Sequence, residues 1–320
     1  VKVAEGCNRK CAFCTIPSFR GKQRSRPIAD VVAEVERLVA LGTVEINLIS
    51  QDTIAYGRDL GDGTDLAALA EAVADVPGVR WVRLFYLYPE KIGEPLLELL
   101  GQHPRVLPYV DMPLQHASDA MLRRMKRGHG GARLRRVVER MRAKVDGLVF
   151  RTAFIVGHPG ETEADFQELL DFVRWARFDR VGVFRYSPEE DTPSGTMAEV
   201  VPPRVAASRH RKLMAAQRPI SREKQQDLVG RELEVLVEGI SDESEVLLEG
   251  RWWGQAPEID GKIYLANGTA QPGELRKALI TKAADYDLVA DLFDADGTLP
   301  EPPPGADPRP RRRIHLPVSA

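Results

Sequence analysis

Three cysteines, Cys7, Cys11 and Cys14, are the only ones in this 320-residue chain. Their spacing, C-x3-C-x2-C, places three thiolates on one short loop where they can reach one metal centre. A four-iron cluster is normally held by four cysteines, so three would leave one iron with an open position. Such an iron can bind and activate a substrate, whereas a fourth cysteine would restrict the cluster to electron transfer. The spacing therefore predicts an iron–sulfur cluster with one open iron.

Other roles for these cysteines fit the sequence less well. A disulfide framework needs an even number of cysteines in a small secreted chain. Buried structural cysteines would be spread over core positions rather than packed beside Asn8 and Arg9. A structural zinc site normally has four ligands from paired cysteines or from cysteine and histidine, and the first histidine of this chain is His103. The zinc site stays open as an alternative.

The elements that must position this loop alternate between strand and helix patterns over residues 1–220. Six strands are predicted, at Val1–Ala4, Glu45–Ile49, Val79–Phe85, Val106–Val110, Phe150–Val156 and Arg180–Phe184. Helical spacing of apolar residues begins at Ile28 and again at Phe166, where Thr162 is the expected N-cap. Repeated strand–helix units predict parallel strands with helices outside. Six units favour an open six-strand (β/α)6 partial barrel, whose strand C-termini are where barrel enzymes carry catalytic groups.

The pattern changes after Pro202-Pro203. A polar helical run from Arg204 to about Asp227 leads into alternating apolar residues and short strands separated by Gly and Asp. This pattern predicts a small antiparallel β-barrel over residues 221–292. The tail, residues 293–320, is rich in proline and contains Arg311-Arg312-Arg313, and it is predicted to be disordered.

Charge differs between the two halves. Residues 221–292 hold 8 basic and 15 acidic residues, a net charge of −7, whereas residues 1–220 carry +5. The acidic C-terminal module suggests a basic partner. No apolar stretch approaches the length of a membrane span, and no signal peptide is evident at the first residues. Free cysteines placed for metal binding predict a reducing compartment, hence the cytoplasm.

The cysteine motif, with aromatic Phe13 before its last cysteine, is similar to the signature of radical S-adenosylmethionine (SAM) enzymes. Further runs resemble the methylthiotransferase family of that group and cover residues 1 to about 292: TIPSFRGK at 15–22, FYLYP at 85–89, DMPLQHAS at 111–118, RTAFIVGHPGE at 151–161 and APEIDG at 256–261. The resemblance implies the same partial barrel, followed by a barrel of the TRAM type. It also implies a [4Fe-4S] cluster on the three cysteines, with SAM bound at its open iron.

Several residues near the predicted strand ends are candidates for holding SAM. They are Phe13, Gln51, Gln115, Arg151, Gly157, Gly160 and Glu161. The glycines allow close backbone approach, and the helix start after them favours lone-pair-rich groups. His158 is interpreted as loop packing rather than a base, and Tyr186 as a lining residue. No catalytic side chain is expected beyond the cluster and SAM, because the cofactor carries the hard chemical step.

The resemblance implies a methylthio group installed on the β-carbon of an aspartate in the twelfth small-subunit ribosomal protein, with an external low-potential electron donor. It also implies an N-terminal domain with three further cysteines for an auxiliary cluster. Because the chain begins at Val1 without them, we expect it to be incomplete for sulfur insertion. A tRNA adenosine methylthiotransferase of the MiaB type is the nearest rival, although the acidic barrel favours a basic protein over phosphate. A non-catalytic, zinc-bearing module that docks to the ribosome is the rival from another class.

Overall fold

The computed structural model describes residues 1–90, 92–294 and 297–299. It contains two compact units, Val1–Ile220 and a second unit that begins at Ser221. The predicted disordered tail lies outside the described residues from position 300 onward. Within the described ranges, every helix is too short or too polar to cross a lipid bilayer.

Strands and helices alternate along the first unit, and the second unit contains the end of one helix followed by strands. The strands are β1 (Ala4–Glu5), β2 (Arg24–Ser25), β3 (Glu45–Leu48), β4 (Trp81–Leu84), β5 (Val106–Asp111), β6 (Val149–Val156), β7 (Arg180–Arg185), β8 (Glu232–Ser241), β9 (Ser244–Trp252), β10 (Ile263–Asn267), β11 (Leu275–Ala283) and β12 (Leu288–Leu292). The helices are α1 (Ile16–Arg20), α2 (Ile28–Ala40), α3 (Leu66–Ala74), α4 (Glu94–Gln102), α5 (Asp119–Arg124), α6 (Gly131–Lys144), α7 (Glu163–Ala176) and α8 (Pro203–Gln226).

The first unit is built on a parallel sheet in the order β3-β4-β5-β6-β7. The predicted first strand joins this sheet only briefly: Lys2 bridges Ile49 in parallel, and the Val3 N–H donates to the Ile49 carbonyl at 2.9 Å. The chain then turns away, because β1 pairs antiparallel with β2. Six parallel segments are thus present, and the predicted fold class is confirmed. The prediction of Val1–Ala4 as a full sheet strand is wrong in its extent.

Helix α7 shows how local sequence places the elements around the sheet. Thr162 caps the helix, since its hydroxyl accepts from the Asp165 N–H at 3.2 Å while the Asp165 carboxylate accepts from the Thr162 N–H at 3.0 Å. The apolar face buries Phe166 and Leu169 completely, and each such side chain stabilises the fold by about 2 kcal/mol. The cap fixes where the chain leaves the end of β6, which is the edge that carries the candidate site.

The second unit contains a closed barrel in the order β10-β12-β11-β8-β9. Every neighbouring pair with a recorded register is antiparallel except β10 and β12, which run parallel. The expectation of a purely antiparallel barrel is therefore corrected at this pair. Closure leaves no strand edge open to another chain. Val235, Val237 and Ile263 fill the interior with no exposed surface.

Candidate cluster and cofactor site

The cysteine loop lies between β1 and α1, beyond the C-terminal end of the first parallel segment. Cys7 is buried, Cys11 and Cys14 are half-buried, and all three are free thiols. The Arg9 N–H donates to Cys7 Sγ at 3.4 Å, and the Cys14 N–H donates to the Cys11 carbonyl at 3.3 Å. Burial raises the pKa of the Cys7 and Cys14 thiols. Without a bound cation, these groups therefore favour the neutral form.

Two arginines flank the ring of Tyr88 beside this loop. The guanidinium carbon of Arg9 lies 3.6 Å from the ring centroid, and that of Arg127 lies 4.1 Å from it. Arg127 donates through Nη1 to Cys11 Sγ at 3.3 Å and through Nη2 to the Pro113 carbonyl at 2.9 Å. The Tyr88 hydroxyl donates to the Arg127 carbonyl. Side chains from three separate segments thus meet at the Tyr88 ring, and one of them, Arg127, contacts Cys11.

Arg9 differs from Arg127 in having carboxylate partners. Its Nε lies 2.6 Å from Asp52 Oδ2, and its Nη1 lies 2.8 Å from Glu90 Oε2. These ion pairs connect the cysteine loop to the segments that follow β3 and β4. The loop is therefore fixed to the strand C-termini by charge as well as by its backbone hydrogen bonds.

The donor set of this loop fits an iron–sulfur cluster. Iron–sulfur clusters are held by Cys thiolates, and three unpaired thiols stand here beside a buried guanidinium. In the described ranges, no group of three or more Cys, His, Asp or Glu side chains is arranged around a single metal ion. A four-iron cluster does not require such convergence, because each thiolate binds a different iron.

Gln51 follows β3 at the strand C-terminal edge. Its Oε1 is buried and has no hydrogen-bond partner among the described residues. An unpaired buried acceptor is unfavourable, and an ammonium group would satisfy it. Phe13 is half-buried inside the cysteine loop. These two predicted residues fit a site for SAM, whose methionyl end carries an ammonium group.

Gln115 and Arg151 lie on the neighbouring strands. Gln115 has a φ of +70° and bridges Phe154 in parallel, so its backbone extends the sheet edge beyond β5. Arg151, at the start of β6, donates through Nη1 to Asp111 Oδ1 at 2.6 Å. Asp111 has no exposed surface. Arg151 therefore holds a buried carboxylate at the end of β5, and contact between Arg151 and SAM stays a prediction.

The glycine turn after β6 is held by Glu161. Gly157 and Gly160 have φ values of +79° and +78°, which favour glycine. The Glu161 carboxylate accepts from the Gly157 N–H, and it contacts His116 Nε2 at 3.3 Å and Arg209 Nη1 at 3.0 Å. Its side chain is fully buried. Both carboxylate oxygens thus have partners within the protein, and contact between Glu161 and SAM stays a prediction.

A cavity of about 570 Å³ lies at the ends of β6 and β7. Gly157, Phe184, Tyr186 and Ser194 are among its lining residues. The Ser194 N–H donates to the Ala12 carbonyl of the cysteine loop at 2.8 Å, so the cavity borders that loop. Its size suits a nucleoside-sized ligand.

His158 packs beneath this cavity. Its Nε2 lies 2.8 Å from Ser194 Oγ, and its ring is 5.0 Å from that of Tyr186. Burial lowers the pKa of His158 to about 4. The imidazole is therefore neutral and packed at physiological pH, as the sequence interpretation had it.

Sequence reasoning missed Arg127 and Arg209 as residues near the site. Arg127 lies in a basic stretch with Arg123 and Arg124, and no sequence pattern distinguishes it from these two arginines. Only the turn after α5 brings its guanidinium to Cys11. Among the predicted residues, Gly157 lines the cavity, whereas Arg151 and Glu161 form ion pairs with Asp111 and Arg209.

Comparison with known proteins gives two domain matches. Residues 1–173 match the radical SAM superfamily, and residues 229–292 match the TRAM domain. The ribosomal protein uS12 methylthiotransferase RimO of Sorangium cellulosum (strain So ce56) is 64% identical over 315 residues, covering 96% of this chain and 64% of that protein. RimO of Anaeromyxobacter sp. (strain Fw109-5) is 50% identical, covering 98% of this chain and 67% of that protein. The chain thus spans about two thirds of the length of these relatives.

Solved structures share the fold of the first unit. The radical SAM methyltransferase TsrM of Kitasatospora setae matches 61% of this chain and 38% of its own chain, with a TM-score of 0.50 at 20% identity. Coproporphyrinogen III oxidase (HemN) of Escherichia coli matches 65% of this chain and 49% of its own, with a TM-score of 0.50 at 15% identity. At these identities the likeness concerns the fold alone.

Proposed function

Because the chain belongs to the RimO family of radical SAM methylthiotransferases, we propose that it provides the cluster and SAM-binding part of such an enzyme. Its substrate is ribosomal protein uS12, and the modified atom is the β-carbon of an aspartate. Residues 1–220 form the radical SAM core with its linker helix, and residues 221–292 form the TRAM-like barrel. The proposed substrate rests on the names of the relatives, and the proposed chemistry rests on the geometry of the cysteine loop.

One observation carries the proposal: three free thiols lie at the C-terminal edge of a parallel sheet, beside a buried guanidinium that has no carboxylate partner among the described residues. Cys7, Cys11 and Cys14 would hold a [4Fe-4S] cluster with one open iron. When bound, the cluster and SAM would supply an electron and a carbon-centred radical able to take hydrogen from an unactivated C–H bond.

The side chains and backbone of this chain would bind and orient SAM. Gln51 Oε1 accepts from the SAM ammonium group, which satisfies its buried lone pairs. Phe13 covers one side of the site, and the Gly157–Gly160 turn offers close backbone contact to the adenosyl part within the 570 Å³ cavity. Arg151, Gln115 and Glu161 position the strand ends and the turn.

The acidic barrel supports a protein substrate over tRNA. Residues 221–292 carry a net charge of −7, and five of their basic side chains are already ion-paired, at positions 222, 251, 262, 276 and 277. Nucleic-acid phosphates would favour unpaired Lys and Arg. A basic ribosomal protein complements this surface better.

Anaerobic incubation of the reconstituted chain with dithionite, SAM and uS12 tests the proposal. We expect 5′-deoxyadenosine from the wild-type chain and none from Cys11→Ala. We also expect no methylthio adduct on uS12, because all three cysteines are used by one cluster and none is left for a sulfur-donating auxiliary cluster. A chain that binds zinc and cleaves no SAM would instead support the zinc-bearing docking module.

A further inference from the structure

Arg127 is a buried cation without a carboxylate partner. It is 5% exposed, and its guanidinium contacts are Cys11 Sγ, the Pro113 carbonyl and the face of Tyr88. No Asp or Glu in the described part of the chain forms an ion pair with it, and its Nε has no hydrogen-bond partner there. A buried, uncompensated charge is strongly unfavourable. The arrangement therefore requires an anion beside Arg127.

Comparison with Arg9 indicates where that anion would lie. Both guanidiniums stack on the same Tyr88 ring, but Arg9 is neutralised by Asp52 and Glu90. His129, whose ring meets Tyr88 edge-on at 5.5 Å, brings no negative charge. Among the described residues, the acidic side chain that accepts a hydrogen bond from the Arg127 guanidinium is the Cys11 thiol, whose sulfur lies 3.3 Å from Nη1. An iron-bound thiolate at that position would compensate the guanidinium.

Several contacts fix Arg127 in this orientation. The Arg127 N–H donates to the Leu122 carbonyl at 2.9 Å, and the Tyr88 hydroxyl donates to the Arg127 carbonyl. Two residues earlier, the Met125 carbonyl accepts from the Ala12 N–H of the cysteine loop at 2.9 Å. The turn after α5 is therefore joined to the cysteine loop by its backbone as well as by the guanidinium.

We propose that Arg127 is a positioning residue for the cluster: its directed N–H···S bond and its charge orient Cys11 and raise the reduction potential of the cluster. Hydrogen bonds to the sulfurs and local charge are among the factors that set such potentials. A cation beside the ligand stabilises the more negative, reduced state, which eases electron uptake from the external donor. This inference rests on the proposed function, because it requires a cluster on Cys11.

The test uses the full chain, reconstituted anaerobically, with iron and sulfide counted per chain. Its readout is the cluster reduction potential, from a mediated dithionite titration followed by electron paramagnetic resonance. Arg127→Gln removes the charge, and Arg127→Lys keeps the charge but loses the planar pair of donors. The matched control is Arg140→Gln, an arginine on α6 that is ion-paired with Glu94 away from the cysteine loop.

We expect a more negative potential in Arg127→Gln, an intermediate value in Arg127→Lys and the wild-type value in Arg140→Gln. Equal potentials in wild type and Arg127→Gln at equal iron content would overturn the inference and leave the proposed function standing. If circular dichroism shows that Arg127→Gln does not fold, the test rests on the reduction potential of Arg127→Lys. A wild-type potential in that variant would contradict a role for the directed N–H···S bond. A folded wild-type chain that takes up no cluster would overturn the proposed function, and this inference with it.

Discussion

Arg151, near the start of β6, and Asp111, the last residue of β5, form an ion pair, with Arg151 Nη1 2.6 Å from Asp111 Oδ1. The same carboxylate accepts from the Tyr86 N–H at 3.1 Å through its other oxygen. Tyr86 has a φ of +57°, a conformation that non-glycine residues seldom adopt. One buried carboxylate thus joins the end of β5 to the start of β6 and to the segment that follows β4.

Removing that carboxylate should destabilise the chain strongly. We expect Asp111→Asn to lower the free energy of unfolding by about 3 kcal/mol, because it leaves the part-buried Arg151 without its counter-ion. Asp171→Asn is the matched control, since Asp171 and Arg174 form an exposed ion pair on α7 and such pairs contribute at most about 1 kcal/mol. Urea unfolding of both variants measures the difference. Equal losses would show that the Asp111 pair is no more than a surface contact.

The glycine turn makes a second prediction about stability. A Cβ added at Gly157 would overlap the side chain of Ala206, and the positive φ adds strain. At Gly147 the φ is +68° with nothing within 4 Å of an added Cβ. Gly147→Ala should therefore show only the backbone cost of about 1 to 2 kcal/mol, whereas Gly157→Ala should lose more. Thermal unfolding compares the two, and a smaller loss for Gly157→Ala would contradict the packing described for this turn.

His158 should make stability depend on pH below neutrality. Burial lowers its folded-state pKa from 6.5 to about 4, so the unfolded state binds a proton that the folded state does not. Stability from this group is present above pH 6.5 and is lost as the pH falls from 6.5 toward 4, at up to about 1.4 kcal/mol per pH unit. Glu161, Arg124 and His116 also act on this ring.

The variant His158→Gln isolates this effect. We expect its free energy of unfolding to fall less steeply with falling pH than that of the wild type. The two slopes should differ by the uptake of about one proton on unfolding, or about 1.4 kcal/mol per pH unit. Some slope remains, because burial also lowers the pKa of His129 to about 3. Urea unfolding at a series of pH values gives both slopes, and identical slopes would contradict a neutral, buried His158.

The acidic barrel should bind its partner by charge. Asp242 and Glu243 lie exposed in the turn between β8 and β9. Changing both to lysine should slow association with the basic protein uS12 several-fold, because it replaces charge attraction with repulsion. The association rate should also depend less on salt, since salt screens charge interactions beyond about 8 Å near physiological ionic strength. Glu71→Lys with Glu98→Lys changes the net charge equally on the first unit and should have less effect.

Binding kinetics across a salt series measure this prediction. Tight, salt-sensitive binding of tRNA by the wild-type chain, with none to uS12, would support the tRNA alternative instead. Trp252, one of two adjacent tryptophans, is 7% exposed, so only Trp253 offers aromatic area to a partner.

Much of the architecture could be predicted from sequence. β-branched runs between amphipathic segments predicted the parallel strands, and Thr162 was predicted as the N-cap because threonine favours that position before a helical run of apolar residues. The pairing of β1 with β2 was missed, since two-residue strands have no periodicity. The parallel pairing of β10 and β12 was also missed, because strand order in a barrel depends on closure rather than on local pattern.

The candidate site could be predicted in part. The cysteine spacing and the two glycines are local signals that can be recognised without knowledge of the tertiary structure. Which cation meets which anion is a tertiary fact: Arg151 meets Asp111, Glu161 meets Arg209, and Arg127 meets Cys11 across more than a hundred residues of sequence. Charged residues look alike in a sequence until the fold shows which of them are buried together.

Iron and sulfide analysis of the anaerobically reconstituted chain tests the central claim most directly. We expect about four irons and four sulfides per chain, lost in Cys7→Ala, Cys11→Ala and Cys14→Ala and unchanged in Ser18→Ala, an exposed residue of α1. The loaded chain should release 5′-deoxyadenosine from SAM when reduced. A Cys11→Ala chain that keeps its full iron content, or a wild-type chain that holds zinc in place of iron, would contradict the assignment of these three cysteines.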